Sequence, residues 1–362
     1  MKHWLTSAAA ESRLSRAAAA AAVLFLGLAL AAQPARAQSV AGGASLQIPP
    51  GARAEGMGRI HASVADDAFA PWWNPAGLAF MKGFHAGLMH AKLVPGLADD
   101  VYFEYAGGST YVEGWGGVAA TITYLSYGES VATDVGSPDA LGTFSSFEFS
   151  PSVAIGTPVL PNLGVGVNLK LLHVNLAPEE FSQGGAGKGT TFAADLGALY
   201  RVNRPADDLF GMGAGTVDMG FGVTVANLGP DISLVDERAS DPLPRNLKVA
   251  LSGGAHVPES FSFLVGMAVE KSLIFEDIPD SIKADLSFFE EHEVLLNGGF
   301  EVGFMDLAFA RLGYLYDDPG EIKGFTYGAG FHLQQFGIDL ASIPQFKELD
   351  RVTKISLIAR FD

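Results

Sequence analysis

The sequence predicts an all-β fold, an antiparallel transmembrane β-barrel of about 14 strands. Three observations lead there. The chain opens with an export segment, it holds no second apolar run long enough to span a membrane as a helix, and most of its length alternates apolar with small or polar residues.

Residues 1 to 37 read as a cleaved signal peptide. Lys2, Arg13 and Arg16 form a basic start, Ala17 to Ala32 an apolar run, and Ala35-Arg36-Ala37 a small-x-small cleavage site before Gln38. The alternative is a retained signal anchor, which the short, alanine-rich run disfavours. Removing this segment takes away Lys2, Arg13, Arg16, Arg36 and Glu11 and moves the formal charge from −17 to −20. Such a balance excludes nucleic acid as a partner, because phosphate binding needs clustered Lys and Arg. It equally disfavours docking on an anionic lipid surface. With no cysteine there is no disulfide framework, no thiolate metal site and no acylated cysteine after the signal.

The strand series follows. In 163 to 171, Leu163, Val165, Val167, Leu169 and Leu171 alternate with Gly164, Gly166, Asn168 and Lys170. Stretches 192 to 202 and 217 to 225 repeat the pattern, as do 147 to 155, 247 to 257, 261 to 271, 325 to 333 and 355 to 361. Weaker candidates lie at 83 to 93, 99 to 106, 115 to 127, 292 to 304 and 307 to 316. That makes thirteen, and a further strand in a loop-like stretch gives fourteen. Lengths of about nine to eleven residues suit tilted strands crossing a bilayer.

A soluble β-sandwich or propeller would alternate too. There the polar face meets water and is rich in charge, whereas here the second face is mostly Gly, Ala, Ser and Thr with isolated charges. Aromatic residues also gather near strand ends (Tyr102, Phe103, Tyr105, Trp115, Tyr124, Tyr127, Tyr314, Tyr316), as an interfacial girdle would.

Before the strands stands Gly51 to Ala79, GARAEGMGRIHASVADDAFAPWWNPAGLA. Asn-Pro and Pro-Ala-Gly break regular structure, while Asp66, Asp67 and Asn74 can cap turns. Its apolar members are too few for a core of their own, so it must lean on something larger. The Gly51-Ala52-Arg53-Ala54-x-Gly56-Met57-Gly58 opening, the Ala65 to Ala68 box and the Trp73 to Leu78 box resemble the N-terminal signature of FadL-type outer-membrane barrels, most closely the PorV/PorQ branch. Ala226 to Pro230, Asp241 to Pro244 and the ending Ile355 to Phe361 resemble the same branch.

The resemblance implies a plug or hatch, residues 38 to 81, inside a barrel of residues 82 to 362. It also implies the outer membrane of a diderm bacterium, with membrane lipid and the barrel assembly machinery as partners. Asp66, Asp67, Trp72, Trp73, Asn74, Pro75 and Gly77 are the candidate ligand or gating residues of that plug.

No enzyme is expected. Gly184 to Thr190 lacks the spacing of a phosphate loop, since Ser182 and Gly189 stand where Gly and a hydroxyl residue are needed. His292-Glu293 is not followed by a second histidine at zincin spacing, His85 and His90 fall on opposite strand faces, and no Gly-x-Ser-x-Gly occurs. Neither a metal nor a cofactor is called for. Adjacent acids such as Asp99-Asp100 and Asp207-Asp208 read as turn caps.

Two functions remain. First stands passive transport of hydrophobic or amphipathic solutes, gated by the plug. The alternative is a secretion-associated barrel that binds exported proteins or type IX secretion components at its extracellular loops, among them 182 to 190 and 229 to 245.

Overall fold

The computed structural model describes residues 42–134, 137–178, 187–234, 240–273, 294–317, 320–346 and 349–361. Residues 1 to 37, expected from the sequence to be a signal peptide, His292-Glu293 and most of the 182 to 190 loop lie outside them. In chain order the strands are β1 (Phe84–Lys92), β2 (Val101–Val112), β3 (Gly116–Asp134), β4 (Ser137–Leu160), β5 (Leu163–Ala177), β6 (Gly187–Ala206), β7 (Gly215–Leu228), β8 (Ile232–Ser233) and β9 (Ser240–Asp241). Then come β10 (Asn246–Val257), β11 (Phe261–Ser272), β12 (Val294–Phe304), β13 (Ala308–Asp317), β14 (Ile322–Leu333), β15 (Phe336–Ile343) and β16 (Val352–Phe361). All but β8 and β9 join one closed barrel of 14 strands, each antiparallel to its neighbours. The cylinder shuts where β1 meets β16, with Phe84 opposite Phe361.

Alternation explains the wall, and its polarity is that of a membrane barrel. In β5, Val165 (39%) and Leu169 (55%) are exposed while Asn168 (1%) and Lys170 (6%), on the other face, are buried. Apolar residues face out and polar ones in, the reverse of a soluble sheet. β3, β4 and β6, with 19, 24 and 20 residues, are roughly twice the expected length.

Five of the six turns at one end are short (113–115, 161–162, 258–260, 305–307, 334–335), 207–214 being the exception, and the connections at the other end are mostly longer. One of these, between β7 and β10, packs inward in its described residues, 229–234 and 240–245. Its β8–β9 hairpin turns Ile232 inward, and Ile232 and Leu243 pack on Leu46, Leu172 and Val174. Gly42 N–H donates to the Pro242 carbonyl at 2.9 Å.

The lumen is filled by residues 42 to 81, almost all buried. Short helices Ala52–Gly56 and Ala70–Trp73 alternate with 3-10 turns Ala44–Leu46, Ile60–Ser63 and Pro75–Phe80. The first helix touches β13 to β16, Ile60–Ser63 touches β6, β7 and β10 to β12, and Pro75–Phe80 touches β3 to β6. Contacts on so many strands require a position inside the barrel.

Candidate functional site

Glycines in the wall make room for this segment. A Cβ at Gly222 would strike the Ala62 carbonyl, one at Gly220 the Ser63 carbonyl, and one at Gly299 the Met57 carbonyl. The small face that the alternation presents is therefore a seat on which a second backbone rests.

Each candidate residue has a definite place. Asn74 is fully buried and caps the Pro75–Phe80 turn by accepting from Ala76 N–H at 3.1 Å, while its Nδ2 donates to the Ala62 carbonyl (2.8 Å) and to Ala198 on β6 (3.1 Å). It thus caps a turn and also ties the segment to the wall. A Cβ at Gly166 or Gly156 would meet Pro75, and one at Gly77 would meet the Ala65 carbonyl. Ala65 itself takes φ 35°, so the Asp66-Asp67 turn is held in a conformation disfavoured for a side-chain-bearing residue.

The two tryptophans differ. Trp73 donates its Nε1 hydrogen to the Pro50 carbonyl at 2.9 Å and packs among Phe69, Met89, Phe103, Tyr105 and Leu125. Trp72 offers its ring to the ammonium of Lys248, 3.9 Å from the ring centre. Packing dominates for Trp73, while Trp72 faces a cavity.

Asp67 accepts from Phe69 N–H and lies 2.9 Å from His61 Nε2. Asp66 accepts from Arg53 Nη1 at 2.7 Å. Arg53 also grips Glu301 of β12 with Nε and Nη2, both at 3.0 Å. Glu301 in turn accepts from Arg311 Nε, and Arg311 reaches Asp339 of β15 at 2.6 Å. From the next strand along the wall, Lys354 of β16 donates to Glu55 (3.1 Å) and to the Pro49 carbonyl (2.6 Å). Ala52 N–H donates to Ser356, Arg201 binds the Val64 carbonyl, and Lys170 is paired with Asp195 at 2.7 Å.

Burial raises the pKa of the Asp66 carboxyl, but Arg53, Arg201 and His61 outweigh it and hold it well below the usual range. Glu55 is buried as well, and Arg59 and Lys354 lower it. Burial works against the charge of Arg53, yet Asp66, Glu301 and Asp67 raise its pKa well above the ordinary value.

His61, Asp66 and Asp67 bring potential ligand atoms within 4.8 Å of one another. Arg53 lies against this group, 2.7 Å from Asp66 and 4.0 Å from Asp67.

Composition alone did not reveal the wall charges Glu301, Arg311, Asp339 and Lys354. The available signal was register: Glu301 and Arg311 stand opposite each other across the 305–307 turn. His85 faces inward and is buried, whereas His90 is exposed, as their spacing implies.

Cavities lie on both sides of the segment. One of about 510 Å³ opens at the short-turn end and is lined by Arg53, Asp66, Asp67 and Glu301. The other, about 790 Å³, opens among the long connections and is lined by Arg59, Trp72, Lys248 and Lys354. They share no lining residue.

No curated protein matches the sequence. Among solved structures, the chain is similar to the Ralstonia pickettii toluene transporter TbuX, at 14% identity over 86% of this chain and 98% of that one, with a TM-score of 0.48. It is also similar to the Pseudomonas putida toluene transporter TodX (14%, 86% and 96%, TM-score 0.45) and to a Pseudomonas aeruginosa FadL homologue (12%, 86% and 98%, TM-score 0.43). The family described as "Type IX secretion system protein PorV" matches residues 32–274. With two-thirds of its length under that match and a closed 14-stranded barrel, the chain belongs to the PorV family and is an outer-membrane barrel of a Gram-negative bacterium.

Proposed function

We propose that this barrel serves type IX secretion as a docking protein whose lumen is closed by its own N-terminal segment. Exported proteins or other secretion components engage its long-loop end, the outer side if short turns face the periplasm. The observation that carries this reading is the bracing of residues 42–81, through Arg53–Glu301–Arg311–Asp339 and Glu55–Lys354 on one stretch of wall and through Asn74–Ala198 and Arg201–Val64 on another. A segment tied to so many strands suits a seal better than a moving part. Family membership supports the same reading.

Plug-gated passage of hydrophobic or amphipathic solutes is the second reading, favoured by the two cavities facing each other across the segment. Gating there would fall to Asp66, Asp67, Trp72, Trp73, Asn74, Pro75 and Gly77. Photo-crosslinking from Leu97, which is 75% exposed at the long-loop end, separates the two. Docking yields adducts with exported or secretion proteins in cells and no solute flux in liposomes. Flux without adducts overturns it in favour of gating.

A further inference from the structure

A much smaller cavity, of about 10 Å³, lies between the lumenal segment and the wall. Trp72 lines it from the segment, and Thr123, Ser150, Asn168 and Lys170 are among the residues that line it from β3, β4 and β5. Apart from Leu46 and the indole ring, the lining is polar. Thr121 and Ser152, also in the lining, hold each other through their hydroxyls at 2.6 Å.

Two polar atoms of this lining are buried without a hydrogen-bond partner among the described residues, Trp72 Nε1 and Asn168 Oδ1. Their residues are 8% and 1% exposed. The Asn168 amide has its orientation fixed, because Nδ2 donates to Asp195 Oδ2 at 3.1 Å and an ionised carboxylate only accepts. Its oxygen is therefore the atom left over, an acceptor without a donor. Trp72 presents the converse, since an indole has one donor and no acceptor. Each orphan carries a desolvation cost on its own. One molecule that both accepts and donates removes the two costs together.

We propose that this cavity seats one ordered water, which accepts from Trp72 Nε1, donates to Asn168 Oδ1 and turns its second hydrogen to a hydroxyl oxygen of Thr123 or Ser150. Volume limits the occupant, since a space of about 10 Å³ admits a single water and nothing larger. Charge excludes an ion, because Lys170 is already paired with Asp195 at 2.7 Å and the lining offers no other charge. An apolar cavity would stay dry, whereas a polar one with two or more partners holds its water. Such a bridge is nearly as good as a direct hydrogen bond, and it ties Trp72 of the lumenal segment to β5. The seat stands under either reading of the function, which crosslinking and flux test separately.

A crystal structure at a resolution that shows ordered solvent should place one peak within about 3.2 Å of both Trp72 Nε1 and Asn168 Oδ1. In solution, the barrel in detergent with nitrogen-labelled tryptophan should give magnetisation transfer between water and the Trp72 indole proton, with the sign of a water that outlasts molecular tumbling. Trp72→Phe identifies that signal by removing it. Trp73, whose indole hydrogen goes to the Pro50 carbonyl, serves as the internal control and should show none. Asn168→Leu, which replaces the acceptor by an apolar group of similar size, should abolish both the signal and the density. Should that variant fail to fold, the unaltered barrel still decides through its density and its spectrum. A dry cavity, a direct bond between Trp72 and Asn168, density larger than one water, or a signal that survives Asn168→Leu overturns the proposal.

Discussion

At the short-turn end of the lumen, Arg53, Glu301, Arg311 and Asp339 form one run of charge-assisted hydrogen bonds in which acid and base alternate. At the long-loop end, Lys248 rests on the ring of Trp72 with its nearest carboxylate 3.6 Å away. Both ends bury paired charge, but in the first run each carboxylate lies within 3.0 Å of a guanidinium nitrogen, whereas Lys248 and Glu270 stand 3.6 Å apart. Completed networks make a brace, because breaking any member leaves another charge buried and alone.

Substitution at Glu301 is the hardest test of this contrast. Glu301→Gln leaves the buried guanidinium groups of Arg53 and Arg311 without their shared carboxylate and should destabilise the fold by about 3–5 kcal/mol. Glu270→Gln, at the other end, should cost less, because this pair is looser, 3.6 Å apart, and Glu270 keeps 21% of its side chain exposed. Denaturant unfolding of both variants measures the difference, and equal losses would dissolve the distinction.

Crowding comes next. Gly222→Val places side-chain atoms on the Ala62 carbonyl, an overpacking that should destabilise by about 1–3 kcal/mol and speed proteolysis of residues 42–81. At Gly253, where an added Cβ meets nothing closer than 3.8 Å, substitution by Ala should leave proteolysis unchanged.

Acid gives the smallest effect, because the Asp66 side chain is 36% exposed and partly screened by solvent. The folded-state carboxyls of Asp66 and Glu55 lie below their unfolded values. Their contribution is therefore complete above about pH 4 and fades as the pH falls through the lowered values. Proteolytic release of the lumenal segment should be flat from neutral pH to about pH 5 and rise only in stronger acid. Asp66→Asn should flatten part of that rise.

Much of the wall was legible, because period-two alternation is a local signal. Thirteen of the fourteen barrel strands fall where alternation places them. The exception is β15, eight residues long, entered through Gln334-Gln335 with Gln334 at φ 55°. A tight hairpin built on glutamine carries none of the Asn-Gly or Asp-Gly chemistry that announces one. Its single charge, Asp339, faces the lumen and is the far end of the brace.

The candidate site was legible only in part. Asn74 could be seen as a cap because its partner is two residues away. Its bond to Ala198 could not be seen, nor could Arg53 with Glu301, 248 residues apart. Lone charges on separate strands carry no local mark of their pairing until the register is fixed.

The ties between the lumenal segment and β16 carry a consequence in time. Pro49 and Ala52 bond to Lys354 and Ser356, across about three hundred residues of chain. Among the first parts of the exported chain to appear, they receive these partners only when the last strand has arrived. Until then the Lys354 and Ser356 contacts cannot form, and β1 has no β16 to pair with. Closing the cylinder and completing the seating of its contents are therefore bound to the arrival of the same strand, and a chain cut before β16 would forfeit both at once.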